Sequence, residues 1–200
     1  MSEQERWETR FSGAGYAFGK EPNAFLKSNA ERLRGRKTAL SVADGEGRNG
    51  VWLAEQGLDV LAVDFAPTAL AKARALAAER GVSLKTEVAD LTRWRWPVGA
   101  FDVVAAIFIF VDPPDRPAFF ANLKAALKPG GLLLLQGYRP EQLNYRTGGP
   151  PDAARTYTRP LLEAAFGDMA ELAIREHDSV ISEGTAHVGM SALIDLVATK

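Results

Sequence analysis

Residues Thr38 to Gly50 read TALSVADGEGRNG: a short, partly β-branched run that breaks into Asp44-Gly45-Glu46-Gly47-Arg48-Asn49-Gly50. Thr38 to Ala43 has the length and composition of a buried strand, and Asn49 to Gln56, stopped by Gly57, reads as a helix. The glycines between them form G-x-G-x-x-G, and Asp64 follows nineteen residues beyond Gly45, where a second strand over Val60 to Val63 ends. Strand, glycine turn, helix and a following acid match a dinucleotide-binding fingerprint in both spacing and context.

Outward from this stretch the pattern alternates. Pro22 to Arg34 reads as a first helix that opens with Pro and precedes Gly35. Pro67 to Arg80 is an Ala-rich helix with Pro at its start and Gly81 at its end. Leu84 to Val88 and Phe101 to Ile107 are the third and fourth strands. Pro117 to Leu127 is a helix closed by Lys128-Pro129-Gly130-Gly131, and Leu132 to Gln136 is the fifth strand. Arg159 to Phe166 is another helix; then Ile174 to Ser182 and Val188 to Ala198 read as two strands around Glu183-Gly184, a hairpin. The alternation predicts an α/β fold, a mostly parallel seven-stranded sheet with helices on both faces and a C-terminal antiparallel hairpin.

Composition removes several chemistries. The 200 residues hold no Cys, which excludes a disulfide framework, an iron–sulfur cluster, a thiolate zinc site and a Cys nucleophile. Two histidines, His177 and His187, leave little for a metal site, and none is expected. With 24 basic against 25 acidic side chains, the chain lacks the basic face that nucleic-acid binding needs. Trp94-Arg95-Trp96-Pro97 has the composition of a base-stacking patch, but in this charge context it reads as the apolar edge of a loop. Met1 to Arg10 has no apolar core of a secretory signal. The longest apolar run, Val103 to Val111, falls well short of the ~20 residues of a membrane helix. A cytoplasmic, reducing location and no membrane partner are the expectations.

Charge also bears on the ligand. A pyrophosphate would bring two negative charges to a loop that carries Asp44 and Glu46, only partly offset by Arg48. Two like charges ~4 Å apart cost on the order of 4 kcal/mol at an effective dielectric of 20. S-adenosylmethionine, with a sulfonium, an ammonium and no phosphate, suits such a loop better. Asp64 can accept from both ribose hydroxyls of either cofactor; its alternative role is to cap the next helix, from which Phe65-Ala66 separates it. Asp90, at the end of the third strand, can accept from an adenine amine beside the Leu91 backbone, or simply cap its own loop.

Five segments carry a resemblance. They are Tyr16 to Leu26 (YAFGKEPNAFL), Glu46-Gly-Arg-Asn49, Lys128-Pro-Gly-Gly131, Pro140 to Tyr145 leading to Thr147-Gly-Gly-Pro150, and Glu183 to His187. In this order they resemble the class I S-adenosylmethionine-dependent methyltransferases, in particular the tellurite-resistance and thiopurine methyltransferase-like branch that acts on small molecules. The resemblance implies a strand order of 3-2-1-4-5-7-6 with strand seven antiparallel, and methyl transfer to a small acceptor such as a thiol or a selenium or tellurium oxyanion. With no linker, repeat or low-complexity tract, one domain over 1–200 is expected: an N-terminal lid and helix (1–37), a cofactor-binding half (38–136) and an acceptor-side half (137–200). The cofactor loop would comprise Ala43, Asp44, Gly45, Glu46, Gly47, Arg48 and Asn49, with Gly45 and Gly47 touching S-adenosylmethionine. Asp64 with Phe65 would hold the ribose, Asp90 and Leu91 the adenine, and Ile107 would lie near the methionine part. The chain departs from the family where an acidic residue late in strand one is Ser41 and the first glycine is Ala43.

On the acceptor side, 136–160 carries Arg139, Arg146, Arg155 and Arg159 against Glu141 and Asp152, with Tyr138 and Tyr145 in the same stretch. Arg139, Tyr145, Arg146 and His187 are the catalytic candidates, an arginine drawing an anionic or polarisable acceptor to the methyl group. Trp7, Phe11, Tyr16 and Phe18 would belong to a lid that excludes water. A monomer or weak homo-oligomer is expected. Two other readings stand: a nicotinamide-dependent oxidoreductase, resting on the glycine pattern and Asp64, and a non-catalytic S-adenosylmethionine-binding protein.

Overall fold

The structure, a computed structural model, describes residues 2–185 and 187–200. Ala186, within the Glu183–His187 segment, and Met1 lie outside the described residues. Strands β1 (Thr38–Val42), β2 (Asp59–Asp64), β3 (Lys85–Val88), β4 (Phe101–Ile107), β5 (Leu127–Tyr138), β6 (Glu171–Glu183) and β7 (His187–Thr199) form one sheet. Their order is 3-2-1-4-5-7-6, as the resemblance implies. β1 to β5 pair in parallel, and β7 runs antiparallel to both β5 and β6.

The central strands are apolar on both sides because helices cover both faces. Leu40, Val42, Val104 and Leu133 meet Phe119, Phe120 and Leu123 of α5 (Arg116–Ala126) and Leu162 and Phe166 of α6 (Arg159–Phe166). Ala39, Val103 and Leu134 meet Leu53 of α3 (Arg48–Glu55) and Leu26 of α2 (Ala24–Ser28) on the other face. Each such fully buried Leu or Phe contributes about 1.5–3 kcal/mol. β1, β4 and β5 are parallel neighbours, so their carboxyl ends lie side by side at the edge where ligands of open α/β sheets bind. α4 (Pro67–Glu79) packs on β2 and β3, and no described helix is long and apolar enough to cross a membrane.

Three local readings change. Residues Glu3–Phe11 form a helix, α1, which the polar N-terminus did not suggest. Its signal is Ser2-x-x-Glu5: Ser2 Oγ accepts from Glu5 N at 3.2 Å and Glu5 Oε2 accepts from Ser2 N at 2.7 Å, a capping box. The single helix expected over 22–34 is broken into α2 and a 3₁₀ turn, Ala30–Leu33. Asn29 stands at the break and its side chain donates back to the Phe25 carbonyl at 2.9 Å, a local bond that competes with helix continuation. β5 begins at Leu127, so Lys128–Gly131 ends α5 but enters the sheet through a register shift opposite Phe101/Val103.

Candidate functional site

The glycine loop leaves β1 through Ala43 (φ +49°), Gly45 (+57°) and Gly47 (+90°), all left-handed. Gly47 has a second constraint: a Cβ there would sit 2.5 Å from Ala73 Cβ on α4. Only glycine lets the loop approach α4 this closely. Beneath it, the Asp64 carboxylate is 3% exposed and accepts from Gly45 N at 2.8 Å and Ala66 N at 2.9 Å. Burial raises its pKa, against these backbone bonds. Asp64 therefore ties β2 to the loop and supports the entry to α4. The Phe65 backbone also supports the carboxylate, and its remaining acceptor capacity is open to a diol.

Ser41, where the family carries an acid, donates from Oγ to Asp44 Oδ1 at 2.6 Å, and Asp44 also accepts from Gly50 N at 3.0 Å. Asp44 thus caps α3 from below, since Gly47 at the cap position has no side chain. Burial pushes its pKa up to about 6, with Ser41 and Gly50 opposing. Glu46 is equally occupied: Oε2 accepts from Ala17 N at 2.6 Å, and Oε1 binds Lys72 Nζ at 2.7 Å. The acids of the loop are internal fasteners rather than free charges. So are its cations: Lys72 is held by Glu46, and Arg48 by Glu183 at 2.7 Å.

Asp90 is exposed and accepts at Oδ1 from Thr92 N (2.9 Å) and Thr92 Oγ (2.7 Å), which is the loop-capping alternative; Oδ2 is left for a ligand. Leu91 accepts from Trp96 Nε1 through its carbonyl at 3.0 Å. Trp96 packs into the core against Phe119, and Trp94 Nε1 donates to Glu87. Phe65 is half-buried and its carbonyl accepts from Gln4 on α1; Ile107 ends β4 opposite Gln136 and is buried. Asn49 accepts from Asn23 N at 3.0 Å. The N-terminal aromatics lie over the loop: Trp7, Phe11 and Phe18 pack on Ala66 and Ala69, and Phe11 reaches 3.4 Å from a Cβ placed on Gly45.

The four acceptor-side candidates separate. His187 is buried where the sheet meets the N-terminal segment, its ring 4.5 Å from Phe18 and 4.9 Å from Phe108. Nδ1 faces Glu183 Oε2 at 3.4 Å, a long contact. Burial lowers the His187 pKa against the pull of Glu183, so the imidazole is neutral at pH 7. Burial works to raise Glu183, but His187 and Arg48 overcome it and leave its pKa at about 2. Arg139 and Tyr145, by contrast, both bind Asp178 on the outside of β6, Tyr145 Oη donating at 2.7 Å. Arg146 is exposed, left-handed (φ +55°) and makes no ion pair among the described residues. Arg155 pairs with Asp112, and Arg159 with Glu176. The arginine excess expected to draw an anion is therefore largely spent on surface ion pairs, and Arg139, Tyr145 and Arg146 do not join His187.

What joins it instead is a polar chain. Asn23 Nδ2 donates to Glu183 Oε1 (3.0 Å) and to Gln136 Oε1 (2.7 Å). Gln136 Nε2 donates to Asp195 Oδ1 (2.6 Å), whose other oxygen meets His177 Nε2 at 2.9 Å. Gln136 and Asp195 interrupt otherwise apolar strands at matched register, and that was the signal in the sequence. Gly184 (φ +61°) seals the contact, since a Cβ there would lie 2.4 Å from the Ala17 carbonyl oxygen.

Residues 39–131 match the family model described as a methyltransferase domain. The chain has the Rossmann-like methyltransferase fold. One curated relative, demethylmenaquinone methyltransferase of Thermus thermophilus, is 36% identical over 106 residues, 52% of this chain and 48% of that protein. The match thus spans about half the length of that relative. A solved structure described as conversion of a disulfide bond into a thioacetal group during echinomycin biosynthesis has a TM-score of 0.76 at 18% identity, covering 100% of this chain and 93% of its own. TehB from Haemophilus influenzae has a TM-score of 0.70 at 15% identity, covering 98% of this chain and 66% of its own.

Proposed function

We propose that this chain transfers a methyl group from S-adenosylmethionine to a small-molecule acceptor, as one domain without nucleic-acid or membrane partners, as a monomer or weak homo-oligomer. The observation that carries it is the state of the two cations that reach the glycine loop. Arg48 and Lys72 are both bound to carboxylates, so neither is left for a pyrophosphate, while Asp64 keeps acceptor capacity for a ribose diol. These residues fit S-adenosylmethionine and disfavour a nicotinamide dinucleotide. The loop 43–49, Asp64 with Phe65, Asp90, Leu91 and Ile107 would hold it. When bound, it supplies an activated methyl carbon and a sulfur leaving group.

The chain's own residues have less to do. Positioning alone can contribute ~7–11 kcal/mol to such a displacement. The N-terminal aromatics exclude water. Neutral His187, oriented by Glu183 through Nδ1, takes the acceptor's proton on Nε2. This dyad favours catalysis over a purely binding role, and a base that takes a proton favours a thiol over a selenium or tellurium oxyanion. Thermal shift with S-adenosylmethionine, S-adenosylhomocysteine, NADH and NADPH tests the cofactor. Ligand at ~100 Kd adds about 2.7 kcal/mol, and a response to the nicotinamides alone overturns the proposal.

A further inference from the structure

Tyr138, at the end of β5, is 1% exposed, and its hydroxyl is the one buried side-chain polar atom without a hydrogen-bond partner among the described residues. Native folds rarely leave such a group unpaired. The nearby Tyr157 is equally buried, yet its hydroxyl donates to the Ile109 carbonyl at 2.8 Å. The Tyr138 ring stacks on Phe108 at 4.7 Å and meets His187 edge-on at 5.8 Å. Phe108 itself sits at φ +55°, a conformation that bulky residues rarely adopt and that clusters at functional sites. A cavity of about 280 Å³ lies between residues 18–24 and 180–184; Tyr138, Phe108 and His187 do not line it, but Phe18 and Glu183 of its wall both contact His187. Gly19, Pro22, Val180 and Ile181 contribute to its wall. Its charged neighbours are already paired: Lys20 with Glu79, Glu21 with Arg80, and Glu183 with Arg48.

From this we infer that the cavity admits the acceptor past Phe18 and Glu183, and that the Tyr138 hydroxyl behind them positions its nucleophilic atom, selecting a small uncharged molecule with an apolar body. The inference rests on the methyltransferase reading and names its substrate class. The volume lies just below the ~300–1,000 Å³ of common ligand sites, which suits a small acceptor. In the transfer, the acceptor's X–H bond gives its proton to His187 Nε2, and the X electron pair forms the bond to the methyl carbon. The methyl–sulfur bond breaks with its pair going to sulfur. Tyr138 keeps its proton and donates a hydrogen bond to X as charge builds there.

The test compares wild type with Tyr138→Phe, using benzyl mercaptan, 4-(mercaptomethyl)benzoate and ethylbenzene as probes. Probe affinities are measured by calorimetry with S-adenosylhomocysteine saturating, and melting temperatures without probes. Wild type should bind benzyl mercaptan at least 10-fold more tightly than the carboxylate. Tyr138→Phe should weaken benzyl mercaptan roughly 3- to 10-fold, leave ethylbenzene and S-adenosylhomocysteine within twofold, and melt at or above the wild-type temperature. A lower melting temperature makes the hydroxyl structural and overturns the inference. So does equal binding of benzyl mercaptan by both forms, preference for the carboxylate, or no binding of any probe. If S-adenosylhomocysteine binds neither form, the methyltransferase reading itself fails.

Discussion

Replacing Arg48 by Met should be costly, and how costly should depend on pH. The guanidinium and the Glu183 carboxylate are 8% and 10% exposed and 2.7 Å apart. At an effective dielectric of 20, that separation corresponds to an attraction of about 6 kcal/mol. Much of it offsets desolvation, so the pair adds little relative to an apolar replacement, but removing one partner strands the other. Breaking a buried pair costs about 3–5 kcal/mol. In a chain of this size that lowers Tm by roughly 6–20 °C. Glu183 would keep only Asn23 and His187 as partners. Without Arg48 the folded-state pKa values of both Glu183 and His187 rise. Groups whose folded pKa is raised add stability below it and lose it as pH increases, so the deficit should be smaller at pH 5.5 than at pH 8. Urea denaturation at the two pH values measures both terms. The double variant Arg48→Met/Glu183→Leu should recover most of the loss. A deficit under about 1 kcal/mol at both pH values, or one that grows on acidification, would refute the reasoning.

Other expectations are local. Asp44 has a folded pKa of about 6 against an ordinary value of 3.8, so the folded state holds its proton more tightly; stability should fall by about 2 kcal/mol as pH rises from 4 to 7. Asp44→Asn should abolish that component, which parallel urea titrations would show. Gly47→Ala places a Cβ 2.5 Å from Ala73 at φ +90°, and should cost about 2–4 kcal/mol and weaken S-adenosylhomocysteine binding in calorimetry. In a screen of small thiols read by S-adenosylhomocysteine formation, Arg146→Ala should stay within twofold of wild type, because Arg146 is exposed away from His187. His187→Gln should lose roughly 10²–10⁴ in kcat in the same screen.

The fold was legible because its signals are local and redundant. Each helix–strand alternation carried its own punctuation, from Pro67 and Gly81 to Glu183-Gly184. The glycine loop and Asp64 were legible for the same reason, since spacing alone brings them together. The charge states were not: Asp44, Glu46 and Arg48 look like an unbalanced loop in one dimension, but Ser41, Lys72 and Glu183 supply their partners in three. Arg139 and Arg146 drew attention as charges, yet a charge on a loop says nothing about which way it faces. Asn23, Phe108 and Tyr138 are 85 residues or more apart for the first two, and join only once the sheet has formed. Gln136 and Asp195 could have been found, as polar residues facing each other across two apolar strands.

The proposed cofactor specificity is tested most directly by calorimetric titration of the intact chain with S-adenosylhomocysteine and with NADPH. One S-adenosylhomocysteine should bind per chain, NADPH should give no saturable heat, and Asp64→Asn should weaken the first by about 10-fold or more through its charge-assisted bonds to the diol. Saturable NADPH binding that S-adenosylhomocysteine fails to displace would contradict it.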